Sequence, residues 1–174
     1  AYPYRTVCAP PMRCTTLILS RAAPRAYGGW SSPDSEGRHS AAWARFGDGD
    51  GAFAVIGIHN LWPWPAGPQQ AQTRRFAGKM AGFDRQSLIV AGDFNSTPWS
   101  FALHRQDRLF GLERRTRALF SWPVRPWSRH KLITPLPIVP IDHIYAGRAW
   151  KTVSVTVGPK LGSDHLPVVA VLTR

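Results

Sequence analysis

Apolar residues in this chain come in short blocks separated by glycine, proline and polar clusters, a strand pattern more than a helical one. Residues 1–11 read as irregular and proline-rich. Residues 15–19, Thr-Thr-Leu-Ile-Leu, read as a β-branched strand, and the Gly-, Pro- and Ser-rich stretch 22–38 as a loop. Two strands at 40–46 and 52–58 flank the turn 47–51, Gly-Asp-Gly-Asp-Gly, and this hairpin delivers His59 and Asn60 at its far end. After a Trp- and Pro-rich loop at 63–68, Phe76, Met80 and Phe83 recur at i, i+4 and i+7, which predicts a helix over 69–83. Arg74, Arg75 and Lys79 occupy its other faces, so the Met and Phe stripe is core packing. Strands follow at 88–91, 141–145, 152–157 and 166–172, with a short helix over 98–105. No repeat and no second domain interrupt residues 1–174, a length that suits one domain.

The organising stretch is Ile89-Val90-Ala91-Gly92-Asp93-Phe94-Asn95-Ser96-Thr97-Pro98. A buried strand ends there at Gly92, and extended geometry places Asp93 and Asn95 on one face. Ser96 or Thr97 then caps a helix that Pro98 opens at its first position. The product is a carboxylate and a carboxamide at the carboxyl end of a core strand, where α/β folds place ligands. The same Asp and Asn also suit a simple turn held by their own side-chain hydrogen bonds.

Composition narrows the function. With 44% hydrophobic and 11% aromatic residues the chain builds a real core, which excludes a disordered chain or a coiled coil. No apolar run approaches the roughly 18–20 residues that span a bilayer. The first residues lack the layout of a signal peptide, so a leader or membrane anchor is expected only from a segment outside these residues. A net charge of +12 favours anionic partners: nucleic acid, phosphate esters or an anionic lipid surface. The basic residues concentrate between Arg105 and Lys131, most densely at Arg114, Arg115 and Arg117. With Trp122 and Trp127, the segment 110–131 offers a surface for stacking on bases and contacting phosphates, or else a long loop pinned to the core by its aromatics. Cys8 and Cys14 are too few for a zinc site and flank a Pro-Pro loop that a disulfide closes in an oxidising compartment.

Four segments in this order resemble the endonuclease/exonuclease/phosphatase superfamily of deoxyribonuclease-like phosphoesterases. They are Ile58-His59, Gly92-Asp93-Phe94-Asn95, Ile141-Asp142-His143-Ile144 and Ser163-Asp164-His165-Leu166-Pro167-Val168. The resemblance implies an α+β (α/β) four-layer sandwich, two packed and mainly antiparallel β-sheets flanked by helices. It implies divalent-metal-dependent hydrolysis of a phosphate ester, of nuclease, phosphodiesterase or phosphatase type, with Mg²⁺ or Mn²⁺ as cofactor. Asp164 is then a metal ligand, a hard oxygen donor. Asp93 orients or deprotonates the attacking water, and Asn95 steadies the phosphate. His165, held by Asp142, contacts the phosphate or moves a proton, and His59 is the opposing acid or phosphate contact. Exported bacterial relatives of this kind favour an exported, periplasmic location over the cytoplasm.

One part of the family pattern has no counterpart. The opening strands, with an Asn and then a Gln-Glu pair whose Glu is the main metal ligand, are not found; the only glutamates are Glu36 and Glu113. The expected domain therefore lacks the family's opening strands. Its bared strand edges invite a homodimer, and its activity is expected to be weak. The alternative is a non-catalytic module that binds nucleic acid or another polyanion through segment 110–131.

Overall fold

The structure, a computed structural model, describes residues 2–7, 14–30, 40–124 and 136–174. In chain order the first elements are β1 (Tyr4–Thr6), β2 (Ile18–Ser20), β3 (Ala26–Trp30), β4 (Ala41–Phe46), β5 (Phe53–His59) and helix α1 (Ala66–Lys79). They are followed by β6 (Leu88–Asp93), α2 (Phe101–Phe110), β7 (Glu113–Arg114), β8 (Asp142–Ala146), β9 (Lys151–Val157) and β10 (Val168–Thr173).

The strict alternation of β5 buries Ala54, Ile56 and Ile58 on one face, and β6 adds Leu88 and Val90. Parallel strands need a crossover between them, and α1 supplies it between β5 and β6. Around this pair a six-stranded sheet grows in the order β3-β4-β5-β6-β8-β7, every other pairing antiparallel. The helices bring Phe76, Met80, Leu103 and Phe110 onto the buried face, in one cluster with Tyr145 and Phe94. Each such side chain contributes about 1.5–3 kcal/mol by leaving water.

The opposite face is lined by small residues, among them Ala42, Ala44 and Ala146, all buried. Two antiparallel pairs cover it: β1 and β2 lie against β4, and β10, paired with β9, lies against β8. This is the expected sandwich of two sheets, with the second sheet present as two separate pairs. Among the described residues the α-helices lie on one side only.

Several boundaries differ from the sequence expectation. Tyr4–Thr6 is a strand because β2 pairs with it, and Ala26–Trp30 is a strand because β4 does. Gly28 belongs there: a Cβ on it would meet the Trp43 indole at 2.9 Å, so the glycine that looked like a loop residue makes room for an aromatic ring. Helix α1 starts three residues earlier than the apolar period suggests. Pro68 is tolerated because first-turn N–H groups have no helical partner anyway. Its last predicted turn is a separate 3₁₀ turn, Met80–Gly82. Helix α2 begins at Phe101, not Pro98. Ser100 is its cap, accepting the Leu103 N–H at 3.2 Å, while the Ser96 hydroxyl is occupied by Gln69. Gly111, at φ 61°, ends the helix in the left-handed conformation.

Cys14 is disulfide-bonded; Cys8, the partner the sequence offers, lies outside the described residues, as do Glu36 and Trp127.

One close approach governs the sheet beneath the site. Gly92, at φ 149°, sits opposite Ile58, and a Cβ there would lie 1.9 Å from the Ile58 carbonyl oxygen. Gly92→Ala must therefore push β5 and β6 apart. The expected outcome is a loss of at least about 3 kcal/mol in chemical denaturation, or no folded protein; an unchanged midpoint would contradict the packing described.

Candidate active site

The register of three adjacent strands carries the site. His59 ends β5 opposite Asp93, which ends the parallel strand β6, and Asp93 faces Asp142, which opens the antiparallel strand β8. One row across the sheet thus holds an imidazole and two carboxylates. His59 Nε2 lies 3.7 Å from Asp93 Oδ2. The loop before β10 brings His165 back, so that its Nδ1 meets Asp142 Oδ2 at 2.7 Å. Ser121 donates its hydroxyl to the same oxygen at 2.5 Å. With Nδ1 engaged, Nε2 is the ring nitrogen left for a substrate.

These residues surround a cavity of about 570 Å³, whose walls include His59, Asp93, Asn95, Asp164, His165 and Trp122. Every candidate from the sequence except Asp142 lines it, and Asp142 stands directly behind His165. Asn95 arrives by a different route from the one expected. The strand ends at Asp93, and Asn95 takes a left-handed turn at φ 48°, tied by its N–H to Asp93 Oδ1 at 2.8 Å. The Asp and Asn therefore both fix a turn and face the cavity. The Asn95 carboxamide donates to the Asn60 carbonyl at 2.8 Å, which leaves its oxygen and second N–H for other partners.

Below the cavity lies a buried polar layer that no motif announced. Gln72 donates to the His59 carbonyl and accepts from Leu61 N–H, while Gln69 donates to the Leu61 carbonyl and the Ser96 hydroxyl. Asn60 donates to Gln106 at 3.1 Å. His143 is also buried, between Thr116 and the Ser96 carbonyl, and is structural. The available signal was polarity at helix positions whose neighbours are core residues: Gln69, Gln72 and Thr73 share a face with Phe76.

Crowded charge sets the electrostatics. Burial first, and then the Asp142 carboxylate, push Asp93 up to about 7. Burial pulls His165 down, but its hydrogen bond to Asp142 and the charges of Asp142, Asp93 and Asp164 outweigh that and raise it above the ordinary histidine value. Burial drives His143 down to about 4, so it is neutral at physiological pH.

The Mg²⁺ or Mn²⁺ implied by the resemblance does not find a ligand set here. Among the described residues no three His, Cys, Asp or Glu side chains are grouped to hold a metal ion. Asp164 is exposed, and Asp142 Oδ2 is taken up by Ser121 and His165. Glu113 lies on β7, within 3.1 Å of Arg115 and outside the cavity wall.

Two of the three arginines in the densest basic cluster are engaged inside the fold, and the third, Arg117, is exposed. Arg114 binds Asp107 at 3.1 Å, and Arg115 donates to the Gly147 and Trp150 carbonyls. Trp122 is a wall of the cavity, its ring 6.3 Å from that of His165. The part of segment 110–131 beyond Val124 lies outside the described residues.

Residues 1–165 match the Endonuclease/Exonuclease/phosphatase family. No curated protein sequence matches the chain. Among solved structures it is similar to a functionally unknown conserved protein from Enterococcus faecalis V583, at 16% identity and TM-score 0.66, covering 87% of this chain and 66% of that one. It is similar to sphingomyelinase C from Streptomyces griseocarneus at 16% identity and TM-score 0.65, covering 97% and 77%. It is similar to D. rerio TDP2 complexed with a single-strand DNA product at 14% identity and TM-score 0.68, covering 91% and 72%. At such identities the likeness is one of fold, and the chain spans about two thirds of the first structure's length.

The raised Asp93 makes a prediction about stability. Its carboxyl keeps its proton up to about pH 7 in the folded chain, but loses it near 3.8 when unfolded. The unfolded state therefore releases the proton first, and stability falls as pH rises from about 4 to 7. Asp93→Asn keeps the acceptor for the Asn95 N–H and removes that loss. Thermal melts are expected to show the variant more stable than the parent at pH 8, by up to about 4 kcal/mol, with the gap closing near pH 4. A gap that does not narrow on acidification would refute the burial argument.

Proposed function

The chain belongs to the endonuclease/exonuclease/phosphatase family, and from that premise we propose that its cavity hydrolyses a phosphate ester using the row His59–Asp93–Asp142 and His165. The observation that carries this reading is the alignment of His59, Asp93 and Asp142 across β5, β6 and β8, with His165 fastened to Asp142 at 2.7 Å.

The chemistry is divided among protein groups. A phosphate in the cavity receives the Nε2 proton of His165 as a hydrogen bond on a phosphoryl oxygen, which stabilises the charge that grows there. Asp142 keeps that imidazole protonated and oriented. Asp93, with its pKa near neutrality, takes the proton of the attacking water as the water oxygen bonds to phosphorus. His59, beside Asp93, gives a proton to the leaving oxygen as its bond to phosphorus breaks. Asn95 holds a second phosphoryl oxygen through its remaining N–H. Because the described residues do not assemble a metal site, no step is assigned to Mg²⁺ or Mn²⁺. For the binding-module alternative, Arg114 and Arg115 are already occupied within the fold, Arg117 is exposed, and residues 125–131 lie outside the described residues.

The test is hydrolysis of bis-p-nitrophenyl phosphate, measured with added Mn²⁺, with added Mg²⁺ and with a chelator. Asp93→Asn and His165→Ala are each expected to lower kcat by about 10²–10⁴-fold while melting cooperatively. The rate should rise as Asp93 deprotonates through about pH 7 and be lost where His165, which its hydrogen bond to Asp142 holds above the ordinary histidine value, gives up its proton. Retention of the parent rate in both variants would remove these residues from the mechanism.

A further inference from the structure

The cavity mouth has an unusual composition. Four described segments that reach it, 61–66, 97–101, 119–124 and 136–141, contain no Lys, Arg, Asp or Glu, and the loop before β10 adds the exposed Asp164 beside them. Each supplies at least one residue to the cavity wall, and the neighbours of those residues are large apolar side chains turned to solvent. Trp62 and Trp64 precede α1, Trp99 and Phe101 precede and open α2, and Leu136 and Ile138 stand ahead of Val139 on the β8 side. Trp64 is 86% exposed and Phe101 88%. Neither is needed to close the cavity, and both expose apolar area that water disfavours.

An exposed apolar rim around a polar cavity marks a docking surface, and its chemistry selects the occupant. A single-stranded nucleic acid would need cations along its backbone path, because phosphate contacts dominate that affinity. The described mouth offers a single one at its edge, Lys160, and its ammonium is engaged by the Val124 carbonyl at 3.0 Å. Tryptophan and aliphatic side chains free of charge match the boundary between headgroups and acyl chains of a bilayer, where indole rings are favoured. The remaining chain carries a net charge of +12, which complements an anionic bilayer and draws the domain onto it.

We propose that the rim formed by Trp62, Trp64, Trp99, Phe101, Leu136 and Ile138 seats this domain on an anionic phospholipid bilayer, so that the phosphate ester entering the cavity is a lipid headgroup. The second half rests on the hydrolytic reading above; the docking does not. It differs from the expectation that any membrane association comes through a segment outside this chain, since the contact is made by the domain's own catalytic face.

The experiment uses vesicles of equal parts phosphatidylcholine and phosphatidylglycerol, with and without brominated acyl chains, beside the soluble-ester assay. The chain is expected to sediment with the vesicles, and its tryptophan emission to shift to the blue and be quenched by bromine. W64A/F101A is expected to weaken vesicle binding at least about tenfold, since two interfacial aromatics are removed, with melting and soluble-ester turnover unchanged. Absence of vesicle binding, or binding that W64A/F101A leaves intact, overturns the proposal. So does tight binding of a single-stranded oligonucleotide that competes with vesicles and is lost in W64A/F101A. Vesicle binding without hydrolysis of either ester sinks the hydrolytic reading and leaves the docking in place. Soluble-ester hydrolysis without vesicle binding does the reverse.

Discussion

The hydrogen-bonded register of β5, β6 and β8 is the constraint on which the rest of this domain depends. Strand pairing has a period of two, so a slip of one residue would turn His59, Asp93 or Asp142 away from the cavity and bury an aliphatic residue's neighbour instead. Two features hold that register. The helix face of the sheet packs Ile56, Ile58, Leu88, Val90 and Tyr145 against α1 and α2, so sliding would expose them. At the site itself, Gly92 lets β6 approach Ile58 more closely than any side chain would permit. The row His59–Asp93–Asp142 is a consequence of core packing.

That packing brings a liability with it. Two carboxylates and an imidazole lie side by side in a half-buried row, and burial with mutual repulsion forces Asp93 toward neutrality. The fold compensates locally: Ser121 and His165 both bind Asp142, and the Asn95 N–H binds Asp93. Below, Gln69 and Gln72 from α1 satisfy the backbone just past the end of β5, where the ladder stops and carbonyls would otherwise lack partners, and Gln106 from α2 accepts from the Asn60 side chain. A carboxylate poised near neutral pH at the price of folding stability is what a general base requires.

Charge is distributed unevenly over the molecule. The chain as a whole is strongly cationic, carboxylates line the cavity, and the described mouth is mostly apolar, with Asp164 and Lys160 at its edge. Arg114 and Arg115, the densest part of the basic run, stabilise the interior by meeting Asp107, Glu113 and backbone carbonyls. Long-range attraction and short-range contact therefore come from different parts of the surface: the net field governs approach, and the aromatic rim governs what is touched.

Strand periodicity was plain in the sequence for β5, β6, β8 and β9, because each alternates or runs apolar over enough residues to state its face. The motif residues His59, Asp93, Asn95, Asp142 and His165 were equally legible, since Gly-Asp-Phe-Asn and Ser-Asp-His-Leu-Pro are local patterns. Elements whose stability comes from a distant partner were not. The strand Ala26–Trp30 reads as a loop until β4 supplies its hydrogen bonds and Trp43 fills the space left by Gly28. The start of α2 depends on which serine is free to cap it, and Ser96 is not free because Gln69, from another helix, has claimed its hydroxyl. Ser121 carries no local signature, and the glutamines under the site are marked only by polarity on the core face of α1, because their roles exist only where separate segments meet. The sequence by itself determined which candidate residues meet at the cavity and which strands carry them. Tertiary structure alone decided their mutual geometry, the raised proton affinity of Asp93 and the apolar rim of the cavity, since distance, burial and exposure arise only when remote parts of the chain are packed together.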